Sequence, residues 1–237
     1  MTIYIPPEIV MQRQRIKVPP EKSRYLLSVL RCKTNDVVTV IDGIGGAYEA
    51  RISSIVKKDV LIDITGELSL NSELPVPLIL CQGMLKGEKM DLVIQKATEL
   101  GVSEIVPIIT ERSVVKETRK LKRWHTIAEE AAEQCGRAVI PAIREPEELN
   151  DLLDSEKING LFFRERGGKS LSEALGAIDS GQTVHIFIGP EGGFTADEVR
   201  KAEERGIVGT TLGMRILRAE TAAIAATVLV QFLIEAE

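Results

Sequence analysis

TVHIFIGPEGGFTADEVRKAEERGIVGTTLGMRILRAETAAIAAT, residues 183–227, is the stretch whose reading decides the fold. Val184 to Ile188 is a short apolar, β-branched run of the kind that forms a buried strand. Gly189, Pro190, Glu191, Gly192, Gly193 and Phe194 follow as a glycine-rich turn. Thr195 and Glu198 then fit a capping box, in which each side chain satisfies an orphan backbone N–H at the start of a helix. A second strand, Val208 to Leu212, runs into a turn at Gly213, and a closing helix begins near Glu220.

Two strand ends therefore each deliver a glycine to a loop. Ligands of open parallel sheets bind beyond the carboxyl ends of the strands, and glycine lets backbone approach a ligand closely. Either turn alone reads equally well as an ordinary connection in an α/β domain. The two together, followed by Arg215, Arg218 and Glu220, favour a site. Neither turn fits GxxxxGK[ST] or GxGxxG, so the phosphate-cradle fingerprints fail.

Working outward, the 237 residues allow one large domain or two smaller ones. The longest apolar run, Thr221 to Ile234, is too short to cross a bilayer and contains Thr227 and Gln231. The N-terminal MTIYIPPEIV lacks the basic start and apolar core of a signal peptide. Cys32, Cys81 and Cys135 are far apart and odd in number, so neither a disulfide framework nor a metal site is expected. A reducing cytoplasm is the simplest location. Net charge is −5, yet residues 1–72 carry 10 Lys and Arg against 8 Asp and Glu. Six basic residues and a single acid, Glu117, lie between Arg112 and Arg123. A polyanion can bind such local patches on an acidic protein.

Residues 1–72 read mainly as β, with strands at Ile3–Ile5, Arg15–Val18, Val37–Ile41, Ala47–Ile55 and Val60–Glu67. A helix over Glu21–Arg31 interrupts them, and so many short strands in a small segment imply a compact barrel. Arg13, Arg15, Lys17, Lys22, Arg24, Arg31 and Lys33 cluster there, as a solvated face or a phosphate-contacting one. Asn71 to Pro77 is a polar, proline-containing joint. The domains expected are 1–72 and 73–237.

Beyond the joint, strands alternate with helices. Val76–Cys81, Glu104–Ile109 and Asn159–Phe163 read as strands, and Gly87–Leu100 and Lys120–Arg137 as helices. Ser170 and Glu173 form a second capping box. Such alternation implies a parallel sheet covered on both faces. The closing helix, Glu220–Glu235, is apolar nearly all round, so it is either deep in its own domain or buried against a second copy.

Few residues carry obvious chemistry. His185 lies inside an apolar strand, where a core role is the natural one, and His125 falls in the basic helix. No triad and no metal-ligand spacing appears. Gln134 and Arg137 stand one turn apart and face one ligand, or are simply helix-surface residues. Lys96 and Glu99 read as an intrahelical pair. The residues alone lead to a small-molecule-binding α/β domain with a basic β module attached.

The run IGPEGGF at 188–194 followed by LGMRILRAETA at 212–222 closely resembles the RsmE family of ribosomal RNA methyltransferases, of the SPOUT superfamily. The similarity extends to QKATELGVSEIVPIITERSVV at 95–115, EEAAEQCGRAVIP at 129–141 and YLLSVLRCKTNDVVTVIDG at 25–43. The family usually shows a histidine in place of Tyr25, and often a threonine in place of Ala219.

The resemblance implies an α/β fold in two parts. A SPOUT-type domain with a parallel sheet has its chain end threaded through a trefoil knot, and a small PUA-like β-barrel precedes it and grips RNA. It implies S-adenosylmethionine as cofactor, held by Ile188, Gly189, Glu191, Gly193, Leu212, Gly213, Ile216 and Leu217. It implies methylation of uracil N3 in small-subunit (16S) ribosomal RNA by a homodimer, without metal or membrane. Arg218 is the expected stabiliser of the uracil anion, with Glu191 or Glu220 taking the proton. Arg15, Arg24, Arg31, Lys86, Arg112 and Arg137 are the expected RNA contacts. The competing readings are a catalytically silent RNA-binding or ribosome-assembly factor, and a SPOUT methyltransferase acting on another RNA.

Overall fold

The computed structural model describes residues 1–11, 15–70, 72–155, 158–179 and 181–235. Arg13 of the basic cluster and Asn71 of the expected joint lie outside them. The chain divides into two compact units. One is Met1–Glu73 with Glu129–Ile140, and the other is Leu74–Ala128 with Pro141–Glu237. Residues 129–140, which follow the proline-containing joint in sequence, thus group with the first unit.

The five strands expected in the first unit form one sheet. They are β1 (Thr2–Tyr4), β2 (Arg15–Lys17), β3 (Val37–Ile41), β4 (Ala47–Val56) and β5 (Asp59–Leu68), in the order β1-β3-β4-β5-β2. Only the β1–β3 pair is parallel. Irregularities in the β4–β5 ladder at Glu49/Ala50 and Ile52/Ser54 mark bulges, which bend a sheet. Alternate residues point inward, and Ile3, Ile16, Val38, Val40, Ala50, Ile52, Val60 and Ile62 make the core. A short helix α1 (Pro7–Val10) was not foreseen. The helix expected at Glu21–Arg31 is α2 (Pro20–Arg24) followed by a π-helical turn, Tyr25–Val29. Leu30 N–H donates to the Tyr25 carbonyl five residues back, and Arg31 ends the run at φ 55°.

The second unit is a parallel sheet with helices. Its elements are β6 (Leu78–Gly83), α3 (Lys89–Glu99), β7 (Glu104–Ile109), α4 (Leu121–Cys135), β8 (Ala142–Ile143), β9 (Glu147–Glu148) and α5 (Leu149–Ser155). Then come β10 (Gly160–Arg164), α6 (Leu171–Leu175), β11 (Val184–Ile188), α7 (Ala196–Glu204), β12 (Val208–Thr211) and α8 (Ala219–Glu235). The end of α4, from Glu129, groups with the first unit. The order is β12-β10-β11-β6-β7-β8, with β9 also pairing to β7. Every residue of β6 and β11 is buried, as strands covered on both faces must be. Both capping boxes form, at Ser170/Glu173 and Thr195/Glu198. Neither α5 nor the two-residue strands β8 and β9 were expected. Four residues of α5 are polar, so its sequence carries little periodic signal, yet Leu149, Leu152 and Leu153 are buried in the core.

Sheet order places the site. From β6 the chain builds outward through β7 and β8, then crosses to the other side of β6 for β10, β11 and β12. Direction therefore reverses at β6, and the loops beyond β6 and β11 diverge there, the usual place for a ligand crevice. After the edge strand β12, the next helix, α8, lies against α3, β6 and β11. Residues 212–218 must travel back across the carboxyl end of β10 to reach it. The second glycine turn is thereby brought beside the first, although a helix and a strand separate them in sequence.

Helix α8 is not buried all round within its own chain. Ala219, Ala223, Ala226 and Val230 form the buried stripe, while Val228, Leu229 and Phe232 are 41%, 42% and 65% exposed.

Candidate functional site

The loops after β7, β10, β11 and β12, with Lys89 at the start of α3, line a cavity of about 570 Å³ in the second unit. That volume suits a small organic ligand. Ile188, Gly189, Glu191 and Gly193 line it from the first turn, and Leu212, Ile216, Leu217 and Arg218 from the second. Gly213 shapes the second turn at φ 101° but does not line the cavity, and neither does Glu220. The two turns inferred from residues 183–227 thus share one hollow.

Local chemistry explains the shape of the first turn. Gly193 has φ 65°, a conformation that side chains disfavour, and its N–H donates to the Pro190 carbonyl at 2.9 Å. Phe194 anchors the far side, its ring 4.0 Å from that of the buried Phe162. On the other side, Gly83 at the end of β6 lies so close that an added Cβ would meet Pro190 N at 2.3 Å. Gln82, fully buried, donates from Nε2 to the Gly83 carbonyl at 3.0 Å.

The electrostatics centre on a cation that sequence reasoning missed. Lys89, at the start of α3, lines the cavity with Nζ 3.2 Å from Glu191 and 3.6 Å from Glu220. Glu191 also accepts from the Lys86 backbone N–H at 3.2 Å. Burial pushes the Glu191 pKa up. Its own backbone N–H, that of Lys86 and the Lys89 ammonium outweigh burial and hold the carboxyl below the ordinary 4.5. Glu220 is different: its Oε2 is buried and receives no hydrogen bond among the described residues. The two carboxylates that looked alike in sequence therefore have unlike surroundings.

A depressed native pKa stabilises a fold above the unfolded value, and the contribution is lost as pH falls through the native value. For Glu191 it is fully present at neutral pH and fades below pH 4.5. Carbon-13 NMR titration should place the Glu191 midpoint below 4.5, and Lys89→Met should move it up. A midpoint at or above 4.5 in the unsubstituted protein contradicts this arrangement.

The expected RNA contacts have varied surroundings. Arg24 and Arg31 are exposed in the first unit, where Arg15 holds Asp63 through two bonds of 2.7 and 3.0 Å. Lys86 is exposed in the second unit. Arg112 lines the cavity, its Nη1 donating to the Gly192 and Phe194 carbonyls at 3.0 and 3.3 Å. Arg137 is 2% exposed and paired with Glu73, Nη2 to Oε2 at 2.6 Å. A phosphate would have to displace Glu73 to reach it, and Arg137 does not share a face with the exposed Gln134. Lys96 and Glu99 do pair along α3 at 2.9 Å. His185 is buried in β11, and His125 is exposed on α4.

Arg164, Glu165 and Arg166 also line the cavity. Their signal was available: FFRER switches from apolar to charged at the carboxyl end of a strand. Among the described residues no group of His, Cys, Asp or Glu is placed to hold a metal ion. No described helix is long and apolar enough to cross a membrane.

The family model of an RNA methyltransferase domain matches residues 72–231, and that of an RNA methyltransferase PUA domain matches residues 18–65. The chain is 32% identical to the Bacillus subtilis ribosomal RNA small subunit methyltransferase E, over 90% of this chain and 91% of that protein. It is 33% identical to the protein of the same name from Buchnera aphidicola, over 89% and 85%. It is also similar to the crystal structure of a ribosomal RNA small subunit methyltransferase E from Neisseria gonorrhoeae bound to S-adenosyl methionine. There the TM-score is 0.88 and the identity 32%, over 98% of this chain and 97% of that one.

Proposed function

The chain belongs to the ribosomal RNA small subunit methyltransferase E family, and from that premise we propose that it transfers a methyl group from S-adenosylmethionine to N3 of a uridine in 16S ribosomal RNA. The observation that carries the proposal is the single cavity bounded by both glycine turns. Its walls fit that cofactor: Gly189, Pro190 and Gly193 on one side and Leu212, Ile216 and Leu217 on the other, with apolar Ile188 and charged Glu191, Arg215 and Arg218 among them. When bound, S-adenosylmethionine supplies a methyl group already activated on a sulfonium.

The chain's own residues must then orient the acceptor and manage its proton. Uracil N3 is a poor nucleophile until its proton leaves. The Arg218 guanidinium, exposed in the cavity wall, stabilises the anion that spreads onto the uracil carbonyl oxygens. Of the two carboxylates, Glu191 is held as an anion by three donors, which weakens it as a base. Glu191 nevertheless lines the cavity, whereas Glu220 does not and has its Oε2 buried 3.6 Å from Lys89 Nζ, so Glu191 is the carboxylate placed to meet the proton. Lys89 holds both carboxylates in place.

Residues 1–72 form the RNA-gripping module, with Arg24 and Arg31 as its exposed cations, and residues 73–237 the catalytic one. The knot of the SPOUT fold accounts for the return of residues 212–218 across the sheet. A second copy covers Val228, Leu229 and Phe232 of α8, which are otherwise bare. The protein works in the cytoplasm, where ribosomes are assembled.

Transfer of labelled methyl from S-adenosylmethionine to small ribosomal subunits and to tRNA, followed by nucleoside mass spectrometry, tests the proposal. The expected product is 3-methyluridine in the small-subunit RNA alone. Label in tRNA, or on another base, assigns a different RNA substrate. No label, with RNA still bound, leaves a silent assembly factor.

A further inference from the structure

The family resemblance placed Arg112 among the expected RNA contacts. The structure assigns it another role, and this inference rests on the cofactor reading above: we propose that Arg112 is a positioning residue that sets the first glycine turn in its cofactor-binding shape.

Two peptide planes of that turn are gripped at both ends. In the Gly192–Gly193 peptide, the carbonyl accepts from Arg112 Nη1 at 3.0 Å and the N–H donates to the Pro190 carbonyl at 2.9 Å. In the Phe194–Thr195 peptide, the carbonyl accepts from the same nitrogen at 3.3 Å and the N–H donates to Glu198 Oε2 at 2.8 Å. A trans peptide is rigid and planar, so holding both its polar ends fixes its orientation. Between them lies Gly193, whose φ of 65° is the conformation most easily lost if the grip loosens. The peptide joining Gly193 to Phe194 is thereby aimed without being consumed.

Arg112 is itself held. The N–H of its neighbour Glu111 donates to Glu198 Oε1 at 2.8 Å, the other oxygen of the carboxylate that caps α7. Its stem lies on Gly192, where an added Cβ would come within 3.0 Å of Arg112 Cβ. The loop after β7 is therefore stapled to the turn by one side chain from each side, Arg112 and Glu198. An arginine used only for phosphate would have no reason to cap two carbonyls of the cofactor loop.

The test is calorimetry of S-adenosylmethionine with the intact protein and with Arg112→Ala, beside RNA affinity measured against salt. The expected result is a cofactor Kd weakened about tenfold, with RNA affinity and its salt slope unchanged, as preorganisation predicts. Arg112→Lys, which keeps one donor, should recover part of the loss. Gly192→Ala, whose added Cβ would press on Arg112 Cβ, should weaken cofactor similarly. An unchanged cofactor Kd overturns the inference. So does a salt slope reduced by about one, the mark of a lost phosphate contact. Amide hydrogen exchange in the ligand-free protein separates this inference from the methyltransferase reading. Exchange at Gly193 and Thr195 should quicken about tenfold in Arg112→Ala whether or not cofactor binds, and an unchanged rate also overturns it. If the unsubstituted chain takes up no cofactor while exchange still responds, the methyltransferase reading fails and the holding role stands.

Discussion

Arg218→Ala should lower the rate of methyl transfer by about 10²–10³-fold while leaving the affinity for S-adenosylmethionine nearly unchanged. That is the usual loss when one preorganised donor to a developing anion is removed. The side chain is exposed in the cavity wall, so its loss opens no hole in the core. Its backbone carbonyl accepts from Ala222 N–H at 2.8 Å and starts α8, and alanine keeps that bond. The substitution therefore removes charge and little else. Arg218→Lys should recover part of the rate, since an ammonium supplies charge without the planar fork. Single-turnover transfer under saturating cofactor, with calorimetry alongside, checks both arms. Full activity with Arg218→Ala removes the residue from the chemistry.

Gly83→Ala should be as damaging by a different route. The added Cβ would lie 2.3 Å from Pro190 N, 2.5 Å from Pro190 Cδ and 2.8 Å from the Gly189 carbonyl carbon. No side chain can swing aside, because the atoms are backbone and a proline ring. Strand β6 cannot retreat either, since Gly83 is buried in a ladder with Ile108 of β7. The first glycine turn must move instead, and the cavity with it. Cofactor affinity should fall at least about 100-fold, with a loss of stability of about 1–3 kcal/mol from overpacking. Gly66→Ala is the matching control, because nothing lies within 4 Å of its Cβ. It should shift stability by no more than about 0.5 kcal/mol. Calorimetry and thermal melting of both variants measure the contrast.

Position in sequence explains what could be read in advance. The capping boxes at Ser170/Glu173 and Thr195/Glu198 were legible because both partners lie three residues apart. The βαβ alternation was legible because periodicity is a local property. The site's outline followed from glycine at two strand ends. Partnerships across the chain were not legible. Asp91 accepts from Trp124 Nε1 at 3.1 Å and from Arg123 Nε at 2.8 Å, across 33 and 32 residues. Glu198 reaches Glu111 across 87. Nothing local in the sequence marks Lys89, and only folding sets it between Glu191 and Glu220. Arg137 was expected on a helix face, beside Gln134 at a ligand or on the surface, because the helical pattern ran through it. The α4 helix ends at Cys135, and the turn beyond carries Arg137 inward to Glu73. Charge in a sequence says that a partner exists, and only the fold says which one.

The most direct trial of the central claim is a backbone-amide NMR titration of the chain with S-adenosylmethionine. Saturable shifts concentrated at Ile188–Phe194 and Thr211–Ala219, with residues 1–70 unmoved, are the expected result. Saturable binding that leaves both turns unperturbed, or no binding at all, would contradict the account.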